Sequence, residues 1–290
     1  MHTKADEILS RYSNAVATKA APATQITKGF HVVGGDSEVC VGGNAKVVAM
    51  ENAKVHATGN AFVQADGNAF VEASGNAQVV AVGRSAVFAT GKTRVEAGGE
   101  CTVLAAGRSR VTAFERASVK AIEQARVTAR GFARVSCADK TGVVATERAS
   151  VTARGDCRVE ACDKVAVDAM GCVKVIGCDS VTISAAGRAI IEARDSVHVS
   201  ARGNAEIFVR DSALVKAAGK VRVYSEANSY VLASEESTVM AHGDSVVEAH
   251  GKASVTGYDN SVIRAYEGVK VRLHGNSQQL DTMCDILVTA

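Results

Sequence analysis

Residues 43–98 read GNAKVVAM, ENAKVHAT, GNAFVQAD, GNAFVEAS, GNAQVVAV, GRSAVFAT, GKTRVEAG, seven successive units of eight residues. The consensus is G-x-[AS]-x-V-x-A-x. It continues in both directions without insertion or deletion, from Gly35 to His274, which is 30 octads. Position five is Val or Ile in all 30, position seven is Ala in 23, and position three is always small or Val. Position one is Gly in 17 octads and Asp or Glu in 12, with Ala227 the exception. Apolar residues at positions three, five and seven alternate with polar ones at four and six. That is the pattern of a strand with one buried face. Positions eight, one and two then form a corner, and Gly or Asp at position one suits the positive φ that a tight corner needs. Strand and corner repeated without drift predict an all-β chain, a β-solenoid or β-helix.

Two features recur every sixteen residues rather than every eight. From Gly155 to Gly219 the corner residue alternates Gly, Asp, Gly, Asp. Position four splits in the same way, with Arg94, Arg110, Arg126, Arg158, Lys174 and Arg222 in one class and Thr102, Ser118, Ser150, Ala166 and Thr182 in the other, where Arg134 is the exception. Residues sixteen apart are therefore expected to stack, giving two strands per 16-residue coil. At ~4.8 Å per coil this implies about 15 coils and roughly 70 Å. A three-sided coil of 24 residues would enclose a wider interior that alanine fills poorly. Three segments are expected: a helical N-terminal cap or docking arm over 1–26, the octapeptide-repeat solenoid over 27–274, and a C-terminal cap over 275–290. The first rests on Ile8, Leu9, Tyr12, Ala15 and Val16 at helical spacing, ended by Pro22. The last rests on the octad breaking after Gln278.

The run of Gly-x-[AS]-x-Val-x-Ala-x units resembles the octapeptide-repeat proteins of bacterial and phage genomes, through the consensus alone and over residues 35–274. The resemblance implies a β-solenoid and no catalytic residue.

Composition agrees with a thin core. The chain has 290 residues, one proline, no tryptophan and 4% aromatics, yet 47% hydrophobic residues, almost all Val and Ala. At 22% charged residues it is not a disordered composition. No stretch approaches the ~20 apolar residues of a membrane span, and the first residues do not read as a signal peptide. With eight cysteines and no paired spacing of a secreted scaffold, a cytoplasmic site with free thiols is expected, or association with a virion if the chain is phage-derived. Cys101, Cys137 and Cys157 fall at inward positions and are expected to be core packing. Cys162 and Cys178 share one corner sixteen apart, with Cys172 in the octad between. A disulfide or a soft-metal site is the alternative there; free thiols are expected, since the spacing matches no metal motif and His is absent from this stretch.

None of the common catalytic or nucleotide-binding motifs occurs, and 30 uninterrupted octads leave no long loops for the groove of a polysaccharide-acting solenoid enzyme. His198 beside Ser196 and Ser200 reads as a polar sheet face, not a nucleophilic pair. His242, Tyr258 and His274 are expected to stack at one edge, and His250 with Tyr266 at another. The charge distribution is more informative. Residues 83–154 hold 13 Lys or Arg against 6 Asp or Glu, a net +7 on a chain of net +2. Lys92, Arg94, Arg108, Arg110, Arg126, Lys140 and Arg158 are the expected binding residues of this basic surface. Pairing of Arg94 with Glu96 and Arg158 with Glu160 would instead make it an ordinary solvated face. The function expected is a non-enzymatic structural or binding protein, a rigid rod presenting outward side chains to a macromolecular partner in a phage or bacterial assembly. Recognition of nucleic acid or an acidic protein is the more specific alternative. No cofactor is expected, and unpaired solenoid ends offer a route to a homo-oligomer.

Overall fold

The computed structural model describes residues 24–280 and the backbone of the strand Ile286–Val288. Every regular element among the described residues is a β-strand. Their contacts divide the chain into two units, Met1–Val144 and Ala145–Ala290.

In the first unit, successive strands alternate between two parallel sheets. Lys54–Ala57 joins Glu38–Val41 on one side and Phe70–Ala73 on the other, while Lys46–Ala49 and Phe62–Ala65 pair in the second sheet. Each partner lies sixteen residues along the chain, as in Val95↔Val111 and Val103↔Val119. The coil therefore has two strands, and the 24-residue alternative is excluded. Inward Val63, Val71, Ala65 and Ala73 are all 0% exposed. Small side chains on both inner faces allow the sheets to approach closely, so stacking rather than thickness supplies the buried area. Outward side chains are mostly exposed or half-buried. Leu104 is an exception at 1% exposure, flanked in register by Phe88 and Lys120.

The second unit follows the same plan, with Val167↔Ile183↔Val199 in one sheet and Ile191↔Ile207↔Val223 in the other. Here the two kinds of corner residue do different work. Where Gly155, Gly171, Gly187, Gly203 and Gly219 stack, the strands lengthen to six residues and run through the corner, as in Ala166–Gly171 and Thr182–Gly187. A Cβ on Gly187 would crowd the Gly171 backbone nitrogen at 3.1 Å, and its φ of 89° is one that favours glycine. At the other corner Asp163, Asp179, Asp195 and Asp211 hold φ between 57° and 65°, a conformation costly for most side chains. Each offsets that cost with a hydrogen bond. The N–H of Glu147 donates to Asp163 Oδ2 at 2.9 Å, that of Asp163 to Asp179 at 3.3 Å, and that of Asp179 to Asp195 at 3.2 Å. Glutamate serves in the first unit, where Glu123 Oε2 accepts the Gly107 N–H at 2.8 Å. Position one is left-handed at every octad from Gly35 to Asp259, and in the last octad Gly268 takes the role in place of Glu267.

The core has local fitting. Gly177 stands at position seven, where alanine is the rule, and a Cβ there would meet Ile183 Cδ1 at 3.0 Å across the core. Isoleucine in one sheet is thus matched by a missing methyl in the other. Gly177→Ala is expected to destabilise the second unit by about 1–2 kcal/mol through overpacking. Adding Ile183→Val, which removes the clashing carbon, is expected to recover most of that. Chemical denaturation of the two single variants and the double variant measures the coupling, and additive losses would refute the match.

The expected helix, ended by Pro22, lies within residues 1–23, outside the described residues; after it, Thr24–Ile26 is a strand paired with Glu38–Val41. Gln278–Gln279 and Ile286–Val288 continue the two sheets by pairing with Val262–Ala265 and Lys270–Leu273. A ladder needs only backbone donors and acceptors, so it runs on where the side-chain consensus has stopped. The free-thiol expectation is corrected. Cys162 and Cys178 are joined as a disulfide, because position eight of consecutive turns brings their Cα atoms to 4.8 Å, inside the range a disulfide spans. Cys172 keeps an exposed thiol outside any disulfide, while Cys101, Cys137 and Cys157 keep buried thiols, as core packing requires. Burial pushes the Cys101 thiol up from its ordinary range.

Candidate functional site

In the first unit the strands Arg94–Ala97, Arg110–Ala113 and Arg126–Ala129 pair in parallel, with Arg94↔Arg110 and Arg110↔Arg126 in register. Period-2 alternation fixes which way these side chains point. Val95, Val111 and Val127, one residue on, are each 2% exposed, so the arginines face solvent. The next outward column is Glu96, Thr112 and Thr128, again in register. All three arginines are exposed. None of their guanidinium groups has an ion-pair or hydrogen-bond partner among the described residues; in particular the alternative Arg94–Glu96 pair does not form. Residues two apart on a strand stand about 6.6 Å apart along it, so such a pair depends on both side chains leaning together. Arg158 and Glu160 do lean together, at 2.9 Å.

This arrangement carries an electrostatic cost. Unit charges one rung apart repel by about 1 kcal/mol per adjacent pair in water, and salt screens part of it. An anion bridging the guanidinium groups would remove the repulsion and turn the row into a set of converging donors.

The corner leading into these strands carries Lys92, Arg108 and Lys140, on the turns of Arg94, Arg110 and the strand after Arg126. Arg108 Nε donates to Gln124 Oε1 at 3.3 Å. Glu123 and Asp139 share a shallow depression with Arg108 and Lys140. Their carboxylates are engaged by backbone N–H groups, Gly107 for Glu123 and Glu123 for Asp139. The corner is therefore mixed in charge, and the arginine row beside it is uniformly basic. No protein-family model, curated protein or solved structure matches the chain. The reading of this face rests on its own geometry.

Sequence reasoning placed six of its seven basic residues in this unit. The seventh, Arg158, belongs to the second unit, where it is in register with Lys174 and engaged by Glu160. The residues missed are Thr112, Thr128 and Phe114. The threonines add hydroxyl donors beside the arginines. Phe114, at position eight after Arg110, lays its ring over Gly98, where a Cβ would meet Phe114 Cε2 at 2.2 Å. The bare glycine at Gly98, one turn before a phenylalanine, was the available signal.

The other motifs resolve into structural roles. Asp168, Ser184 and Ser200 form a column beside Thr182 and His198, and the His198 ring makes no hydrogen bond among the described residues, so no nucleophile–base pair is assembled. His242, Tyr258 and His274 stack face to face at 4.4 and 5.0 Å, and His250 stacks on Tyr266 at 4.1 Å, as expected. Tyr230 Oη donates to Glu248 Oε2 at 2.7 Å. That bond holds the Glu248 carboxyl below the usual carboxylate range and raises the Tyr230 hydroxyl. A depressed carboxyl contributes stability that is present above its unfolded pKa and is lost as pH falls through the folded value. Tyr230→Phe is expected to return Glu248 toward its ordinary range, which a carbon-13 NMR titration of the side-chain carboxyl reads directly. An unchanged titration would rule the hydroxyl out as the cause.

Proposed function

We propose that the chain is a non-enzymatic binding protein whose first unit presents a basic sheet face to the phosphate backbone of a nucleic acid. The observation carrying this is the in-register row of Arg94, Arg110 and Arg126, exposed and without partners of their own. Lys92, Arg108, Lys140, Thr112 and Thr128 flank the row. Guanidinium donors suit phosphate oxygens, and a regular open face with no groove-reading element favours contact with backbone over base edges. Binding of this kind is sequence-tolerant and driven by counterion release. The test is an anisotropy titration of labelled duplex and single-stranded oligonucleotides over a salt series. Binding at low salt that weakens log-linearly with salt, with little dependence on sequence, is expected. No binding of either form at low salt overturns the nucleic-acid reading.

A further inference from the structure

One corner of the second unit carries Cys162 and Cys178 at position eight of consecutive turns, each followed by a left-handed aspartate, Asp163 and Asp179. Their Cα atoms are 4.8 Å apart. Both sulfurs and a carboxylate oxygen of Asp179 lie within 4.8 Å of one another. Ligand atoms bound about 2.0–2.3 Å from a tetrahedral zinc ion stand about 3.3–3.8 Å apart, so modest side-chain rotation closes the set. Asp179 Oδ2 accepts the Asp163 N–H, which fixes the carboxylate beside the sulfurs and leaves its other oxygen for a cation. Asp163 and Asp195 add negative charge one turn to either side. The cation of the next turn, Arg194, is drawn toward Glu192 at 3.8 Å. The corner is solvent-accessible, with both cysteines half-buried and Asp179 exposed.

We propose that Cys162, Cys178 and Asp179 form a redox-gated site for a soft divalent cation such as Zn²⁺ or Cd²⁺, closed by the disulfide and opened by a thiol reductant. The chemistry balances. A dithiol reductant gives two electrons and two hydrogens, the Cys162–Cys178 S–S bond breaks, two thiols form, and the reductant leaves as its own disulfide. Cation binding then displaces both thiol protons to solvent. The ligands are two thiolates and one carboxylate, with the fourth position left to water. The ladder holds the two cysteine backbones at the same spacing in either state, so no refolding is needed to exchange a disulfide for a metal.

The experiment uses the full chain in a Cys172→Ser background, which removes the exposed free thiol. Zinc is titrated in competition with a chromophoric chelator, before reduction and after reduction and anaerobic desalting. The reduced protein is expected to take up one more equivalent than the oxidised protein. Cys162→Ser/Cys178→Ser is expected to abolish the difference. Asp179→Asn, which keeps an oxygen acceptor for the Asp163 N–H, is expected to weaken binding at least tenfold. With Cd²⁺, a thiolate-to-metal charge-transfer band should appear in the reduced protein only. Equal uptake by reduced protein and the double serine variant, with strand circular dichroism intact in both, overturns the site. Unchanged affinity in Asp179→Asn overturns the carboxylate's part in it.

Discussion

Val111→Asp is expected to abolish cooperative folding of the first unit, whereas Arg110→Asp, one residue earlier, is expected to leave it folded. The contrast follows from alternation. Val111 is 2% exposed and lies in register between Val95 and Val127. A carboxylate there enters an interior lined by valine and alanine, with no cation within it to pair with. Burying an unpaired charge costs several kcal/mol, and the marginal stability of a domain is about 5–15 kcal/mol. Side chains directly above and below occupy the same column, so the strand cannot turn the charge outward without flipping every neighbour. At position 110 the same substitution replaces the middle of three like charges with an opposite one, which relieves repulsion. Circular dichroism and thermal unfolding separate the outcomes. A cooperative transition in Val111→Asp at the wild-type midpoint would remove the inward assignment on which all the outward columns depend.

The second large effect concerns binding. The triple variant Arg94→Glu/Arg110→Glu/Arg126→Glu is expected to lose at least about a hundredfold in oligonucleotide affinity at low salt, since charge-assisted hydrogen bonds contribute about 1.5–3 kcal/mol each. Its salt slope should fall by about three, one unit for each phosphate contact removed. Net charge alone would also weaken binding, so the comparison is a second triple variant with the same charge change, Lys216→Glu/Lys252→Glu/Lys270→Glu, on exposed residues of the second unit. That protein should keep most of the affinity and nearly all of the slope. Equal losses in the two variants would mean that the arginine row has no special part and that binding follows overall charge.

The octad was enough to read the architecture, because each rung repeats the same demand: Val and Ala inward, Gly or an acid at the corner. The sixteen-residue alternation of Gly155, Asp163, Gly171 and Asp179 was also legible, and it gave the columns that place Arg94, Arg110 and Arg126 together. What the sequence hid was whatever depends on a neighbouring turn. Glutamate at a left-handed corner looks unfavourable until its carboxylate is seen to accept an N–H from the preceding turn, as Glu123 does for Gly107. The Cys162–Cys178 spacing was visible, but compartment reasoning pointed to thiols where geometry joins them. The strands at the ends were hidden for another reason. Thr24–Ile26 and Ile286–Val288 lack the consensus, yet an edge needs only a backbone to pair with. Arg94–Glu96 and Arg158–Glu160 are the same local pattern with different outcomes, which sequence alone does not separate.

The strict one-turn register also sets how a gene of this kind can change length. Duplicating or deleting sixteen codons in tandem adds or removes one whole rung and leaves every surviving side chain on its original wall. Eight codons behave differently. Such an event would keep each valine buried and each corner in phase, yet swap the two walls for everything downstream, and an event between Arg94 and Arg110 would strand the first arginine on the side opposite the others. Selection on a surface pattern should therefore tolerate drift in multiples of two octads and reject single ones, although both keep the valines facing inward.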